Sequence, residues 1–285
     1  MQQPAKISVI VSTYNNPQVL GMVLGSLAQQ RRGRHCADYE VIVADDGSGA
    51  ETAALIGRLQ AAYPVPLLHA WQPDAGFRLA QSRNNALLQA TGDYVVFMDG
   101  DCLAPSDFIL THSRLAESGK FVAGARSYIK RRRSVAMMAA GTAGRRIRRF
   151  VWFWRALFAQ ANRPFQLLSL PVNWRRNRNP EQWQKVQTCN LAVWRADVDR
   201  VDGFDNTYTG HGLEDSDFAL RLLRAGVTRK SGRFASVVLH LWHARPGAMR
   251  SPNIERFDSL LTSDRIMPVS GLSYLAVQPS ARAAG

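Results

Sequence analysis

Asp99 and Asp101 stand one residue apart at the end of the apolar run Tyr94-Val95-Val96-Phe97-Met98. A run of this kind reads as the buried central strand of a parallel sheet. Ligands of open α/β sheets collect beyond the carboxyl ends of such strands. Two carboxylates there make a hard-oxygen site suited to Mg²⁺ or Mn²⁺. Gly100 lets the backbone turn sharply between them and lets a ligand come close. Asp-Gly is also ordinary turn chemistry, so the pair alone leaves turn and site both open.

Four further groups could do chemistry. Asp45-Asp46-Gly47-Ser48 closes another apolar run. An acid there can accept hydrogen bonds from a base or a ribose, and a simple turn competes. The stretch Asp74 to Arg78, followed by Arg83-Asn84-Asn85, brings two guanidinium forks suited to a diphosphate. Taken singly, each arginine reads better as a solvent-exposed helix residue. Glu214, Asp215 and Asp217 put three acids at a helix start behind the loop Gly210-His211-Gly212. Capping explains Glu214 or Asp217 well. A general base beside a bound substrate better explains the glycine-flanked loop. His240 and His243 lie near the end of an apolar strand, where one imidazole would complete a metal set. Their odd spacing points them to opposite faces of a regular strand, so one ligand is expected unless the strand ends between them.

The elements that must position these groups alternate. Strands are expected at residues 7–11, 40–44, 66–71 and 94–98, with helices after Pro17, over Leu55 to Leu59, and over 81–90. Repeated βα units argue for a parallel, three-layer α/β sheet with right-handed crossovers. The polar turns after the first, second and fourth strands would then converge on one edge. Later come Asn190 to Trp194, a Gly-rich loop from Gly203 to Gly212, a helix over 214 to about 225, and a strand over 236–242. The tail has no strong period after Phe257 and is read as partly disordered.

The chain has 285 residues, 46% hydrophobic and 20% charged, which suits one large or two small domains with ample core. No segment has the ~20 apolar residues of a membrane span. Met1 to Lys6 runs directly into a strand with no leader pattern, and three scattered cysteines form no zinc or disulfide framework. A reducing cytosol is the expected compartment.

The net charge of +14 belongs to one segment. Residues 126–178 hold 14 basic and no acidic residues, and the other 22 basic residues balance the 22 acidic ones. Within it, Arg145 to Phe158 interleaves arginines with large aromatics. This pattern suits a helix lying in an anionic membrane interface, or a grip on the phosphates of a substrate. The plain alternative is a solvated helical pair packing its aromatics on the main domain.

Taken together, the strings Val11-Ser12-Thr13-Tyr14-Asn15, Ala44-Asp45-Asp46-Gly47-Ser48, Met98-Asp99-Gly100-Asp101, Asn190-Leu191-Ala192, Gly203-Phe204-Asp205 and Gly212-Leu213-Glu214-Asp215-Ser216-Asp217 resemble inverting glycosyltransferases of the GT-A fold, in the broad family 2 group. The resemblance runs from about residue 6 to about 247, with a gap over the basic segment. It implies an α/β fold with a Rossmann-like, mostly parallel central sheet, here with a basic, aromatic helical insertion. It also implies a nucleotide-sugar donor, usually a UDP-sugar. Thr13, Tyr14, Asn15, Asp46 and Asp99 would hold the nucleotide, and Arg83 would lie near the base or diphosphate. Asp101 would coordinate Mn²⁺ or Mg²⁺. The second half looks like a galactosyltransferase-type module, in which Asp215 is the base and Glu214 binds the acceptor or donor sugar. A later histidine would be a metal ligand, and His243 fits better than His240.

The expected organisation is a nucleotide-sugar-binding half (1–125), the insertion (126–183), an acceptor-binding, catalytic half of the same domain (184–250) and a tail (251–285). The acceptor expected is a lipid-linked glycan, lipopolysaccharide or cell-surface polysaccharide. The enzyme would then sit peripherally on the cytoplasmic face of the inner membrane. A nucleic-acid-binding protein would explain the arginines and aromatics but not acids gathered at strand ends, so no nucleic acid is expected. A sugar-nucleotide pyrophosphorylase shares the sheet type, but no Gly-rich phosphate loop follows the first strand.

Overall fold

The apolar runs form the strands expected of them. The computed structural model describes residues 3–141, 146–172, 174–184, 186–244 and 253–277. β1 (Lys6–Thr13), α1 (Pro17–Ala28), β2 (Asp38–Asp45), α2 (Ala50–Gln60), β3 (Leu67–Trp71), α3 (Leu79–Gln89) and β4 (Tyr94–Asp99) build a parallel βα array. Val9, Val41 and Val96 face one core, while Ile10, Ile42 and Phe97 face another. This is the period of two in a sheet covered on both sides, and it explains the unbroken apolar runs. α1 starts on Pro17 with Asn16 capping the Val19 N–H, and it buries the predicted stripe of Val19, Leu20, Val23, Leu24 and Leu27.

β5 (Cys102–Leu103), α4 (Phe108–Leu115), β6 (Lys120–Ala123) and β7 (Ala125–Tyr128) follow, then α5 (Arg131–Ala139) and α6 (Arg149–Leu157). The second half contributes β8 (Asn190–Trp194), α7 (Arg195–Arg200), α8 (Glu214–Arg224), β9 (Thr228–Ser231), β10 (Val237–His240), α9 (Ile254–Leu261) and α10 (Leu272–Val277). The main sheet has the order β3-β2-β1-β4-β8-β6-β9, with β8 antiparallel to both neighbours. Its register pairs Thr13 with Asp45 and Ser12 with Asp99, so the polar tips of β1, β2 and β4 share one edge. A small sheet, β5-β10-β7, stands beside that edge and sets His240 opposite Cys102.

Three expectations change. The boundary at 125/126 falls inside β7, because that strand pairs with β10. The strand over 236–242 is shorter: it ends at His240, where its partner β5 runs out. The described part of the tail, 253–277, carries two helices, α9 and α10, joined by a packed turn segment. Phe257, Leu260, Leu272 and Leu275 are buried, and Asp202 and Asp205 accept backbone N–H bonds from Ser273 and Val269.

Among the described residues, the basic segment opens in β7 and carries helices α5 and α6, and its arginines do different jobs. Arg176 is buried and donates to the carbonyls of Leu170, Pro171, Ser231 and Arg233, so it ties the segment to the sheet. Arg149 is nearly buried, 3.5 Å from Asp107. Arg145 lies outside the described residues. α6 turns Trp152 and Ala156 inward and leaves Phe150 (71% exposed), Trp154 and Leu157 outward, with Phe158 (75%) just beyond its end. Among the described residues, no helix is long and apolar enough to cross a membrane.

Candidate active site

A cleft of about 330 Å³ opens at the shared strand edge, and Thr13, Tyr14, Asp46, Asp99, Asp101 and Glu214 line it. Asp46 and Asp45 divide at the tip of β2. Asp45 is buried and accepts from His69 (2.8 Å) and the Ser48 N–H (2.8 Å). Burial pushes its pKa up, but those bonds outweigh it and hold the carboxyl low. Asp45 is therefore the turn residue. Asp46 faces the cleft, fixed by the Gln72 amide (2.6 Å) and the Arg78 N–H (2.7 Å), with its pKa raised by burial.

Tyr14 is 48% exposed, and its hydroxyl donates to Asp74 at 2.9 Å. Asn15 does not line the cleft. Its side chain accepts from the Gly49 N–H (2.9 Å) and its own N–H donates to Ser48 (2.8 Å), so it joins the β1 and β2 loops. Asn16 lines the cleft in its place.

Arg83 departs from the reading of an exposed helix residue: it is 1% exposed. It reaches Ser12 Oγ and Glu214 Oε1, each at 3.3 Å, and Asp99 Oδ1 at 3.4 Å. Its guanidinium lies 5.4 Å from the Phe204 ring centroid, and Asn84 bonds both the N–H and the C=O of Phe204. The Gly203-Phe204-Asp205 string thus supports the arginine from behind. Burial, then the neighbouring Asp101, lifts the Asp99 carboxyl to about 6. Gly100 is required by packing, because a Cβ there would collide with the Ser12 carbonyl.

Asp101 Oδ2 lies 3.2 Å from His243 Nε2 and 3.4 Å from His240 Nε2. Because β10 ends at His240, the odd spacing does not separate the two rings, whose centroids are 5.2 Å apart. Each Nδ1 lies on a backbone carbonyl, Leu241 for His240 (2.7 Å) and Ala244 for His243 (2.9 Å). A carbonyl only accepts, so each Nδ1 carries a proton, which leaves each Nε2 facing the Asp101 carboxylate. With both rings neutral, two Nε2 lone pairs and a carboxylate oxygen would face one another, and this donor set fits a divalent metal. Burial pushes Asp101 up, but the His243 bond and the charge of His240 outweigh it, and the carboxyl is held low. Cys102 is a neighbour with no counterpart in the sequence reading: its thiol donates to Asp101 Oδ1 (3.3 Å), and burial keeps it protonated.

Glu214 and Asp215 open α8 after Leu213, which adopts a left-handed conformation (φ 75°). Glu214 lines the cleft and Asp215 stands half-buried beside it. Burial, then the Glu214 charge, raises Asp215 to about 7. Asp217 is instead structural, bonded to Arg221 Nε at 2.6 Å. Besides Asn16, the cleft residues Phe77 and His211, whose ring centroids are 4.2 Å apart, have no role in the sequence reading. Both lie inside the motifs Asp74–Arg78 and Gly210–Asp217, where an aromatic beside charged residues is the signal that could find them.

A mostly parallel sheet whose strand-end carboxylates face an acid-bearing helix start defines a glycosyltransferase of the GT-A fold. The glycosyl transferase family 2 model matches residues 8–178, more than half of the chain, and a model of the N-terminal domain of galactosyltransferase matches residues 171–259. The chain belongs to glycosyl transferase family 2.

Among relatives, validoxylamine A glucosyltransferase of Streptomyces hygroscopicus subsp. jinggangensis is 28% identical over 78% of this chain and 52% of its own length. Chondroitin synthase of Escherichia coli is 26% identical over 77% of this chain and 32% of its own. The chain thus spans about half the length, or less, of these relatives. Mannosyltransferase PcManGT from Pyrobaculum calidifontis, solved with GDP-Man and Mn²⁺, has a TM-score of 0.56 at 21% identity, over 86% of this chain and 59% of that one. Residues 1–349 of Staphylococcus aureus TarS, solved with UDP-GlcNAc, give 0.54 at 17% identity, over 87% and 62%. At these identities the likeness is one of fold.

Proposed function

We propose that this chain moves a sugar from a nucleotide-sugar, a UDP-sugar in the simplest reading, to a glycan acceptor with inversion at the anomeric carbon. One observation carries it: Asp46, the Asp99/Asp101 pair and Glu214, from three distant parts of the chain, line one cleft.

Asp46, held rigid by Gln72 and Arg78, accepts from the base, while Thr13, Tyr14 and Asp99 contact the nucleoside. Asn15 shapes that loop from behind. Arg83 acts beneath the cleft floor, where it orients Asp99 and Glu214 near the diphosphate. Asp101, His240 and His243 would hold Mn²⁺ or Mg²⁺, and two imidazoles favour Mn²⁺. When bound, that ion supplies Lewis-acid neutralisation of the charge on the leaving diphosphate. Glu214 orients the sugar, and Asp215 takes the acceptor hydroxyl proton on a carboxylate oxygen. A base with a pKa near 7 is well matched to that task. A single base and in-line attack invert the centre, whereas hydrolases need two carboxylates.

The acceptor proposed is a lipid-linked glycan or cell-surface polysaccharide, reached from the cytoplasmic face of the membrane. The outward aromatics of α6, flanked by Arg146 and Arg148, support peripheral contact with an anionic leaflet. Relatives named for chondroitin and poly(ribitol-phosphate) point to polymeric acceptors. The test is a thermal-shift and hydrolysis screen of nucleotide-sugars with and without Mn²⁺. One donor should give a metal-dependent shift, and the absence of any shift across UDP-, GDP- and dTDP-sugars would end the proposal.

A further inference from the structure

Behind the two histidines lies a second pocket of about 570 Å³, which shares no lining residue with the donor cleft. Tyr128, Lys130, Arg131, Asn162 and Trp242 line it together with the histidines. His240 is the partition. Its Nε2 meets Asp101 on the cleft side, while its ring packs against Tyr128 with centroids 4.9 Å apart.

Four cations gather at this pocket. Lys130 and Arg131 form its wall, and Arg126 and Arg163 lie over Tyr128, 5.0 and 5.8 Å from the ring centroid. Arg131 lies 4.8 Å from the Trp242 centroid. Among the described residues, none of the four forms an ion pair, although Arg126 also feels the Asp99 carboxylate across the partition, so the unmatched charge is that of Lys130, Arg131 and Arg163. Arg149 and Arg176 of the same segment are instead used by Asp107 and by backbone carbonyls. Unmatched positive charge in a concave site concentrates anions. The aromatic rings hold the guanidinium groups in place, and an ordered fork loses little freedom on binding a phosphate or carboxylate. α5 also begins at this wall, with Lys130 as its N-cap.

We propose that this pocket binds a phosphate or carboxylate of the acceptor, so that the enzyme selects an acidic acceptor over a neutral one. This rests on the glycosyltransferase reading above. The donor diphosphate belongs to the Asp101 side of the partition, which leaves the far side to the other substrate.

The test is calorimetric titration of inorganic phosphate, with a chelator present, into the wild type, a Lys130→Ala/Arg131→Ala variant and a Lys130→Arg/Arg131→Lys variant. Wild type should bind, the alanine variant should bind at least tenfold more weakly, and the charge-conserving variant should stay within about threefold. Absence of phosphate binding to wild type, or equal binding by all three, overturns the proposal. UDP with Mn²⁺ is titrated in parallel. If the alanine variant loses UDP affinity as steeply as phosphate affinity, the pocket serves the donor and the proposal also falls. If wild type binds phosphate but no nucleotide at all, the donor assignment fails instead.

Discussion

Arg83 and Glu214 are 131 residues apart in the chain and meet at 3.3 Å beneath the cleft floor. The same guanidinium reaches Asp99 at 3.4 Å, so one buried cation joins the donor-side strand β4 to the start of α8. Removing it would leave Glu214 facing the cleft without its counter-charge. Arg83→Met should lower stability by about 3–5 kcal/mol, as for a broken buried pair. A urea melt checks this. A loss under 0.5 kcal/mol would show that the contact is incidental.

The cation site makes a separable prediction. Asp101→Ala should abolish stimulation of transfer by Mn²⁺, and His243→Ala and His240→Ala should each raise the Mn²⁺ concentration needed for half-maximal rate by 10-fold or more. An Asp101→Ala enzyme as fast as wild type in Mn²⁺ would refute the assignment.

Asp215 links pH to both rate and stability. With its carboxyl at about 7, transfer should rise as pH passes through 7 and the base ionises. Its ordinary value is 3.8, so between about 4 and 7 the folded state holds a proton that the unfolded state has released. Stability therefore falls as pH rises through that window. Asp215→Asn should slow transfer by roughly 10²–10⁴-fold and should raise the thermal midpoint at pH 8. A rate profile flat from pH 5.5 to 8.5 would assign the proton transfer elsewhere.

The exposed face of α6 predicts sedimentation with vesicles containing anionic lipid. Arg146→Ala/Arg148→Ala should weaken it roughly 30-fold, at about 1 kcal/mol per basic residue. Phe158→Ala should weaken it further. Binding that ignores both the arginines and the lipid charge would refute membrane contact.

Local pattern was enough to determine the strands, the shared edge and the acids along it. A strand covered on both faces must be apolar along its length, and its polar tip must then emerge at an end. Ser12-Thr13, Asp45-Asp46 and Asp99-Gly100-Asp101 could therefore be placed together before any contact was known. The same logic could not divide Asp45 from Asp46, because the choice lies with His69 on β3 and the Arg78 N–H. It misplaced Arg83, since a charge on a helix is buried only if opposite charges reach it, and Glu214 arrives from the other half of the chain.

Tertiary pairing also decided the two histidines. Alternation along a strand would send His240 and His243 apart, but β10 ends where its short partner β5 ends, and the released chain turns the second ring back towards Asp101. The tail shows the same limit: its apolar residues lack a long period, yet Asp202 and Asp205 anchor it through backbone N–H groups. Periodicity reports what each element must cover. Which charges meet, and where a strand stops, depend on neighbours that only the folded chain supplies.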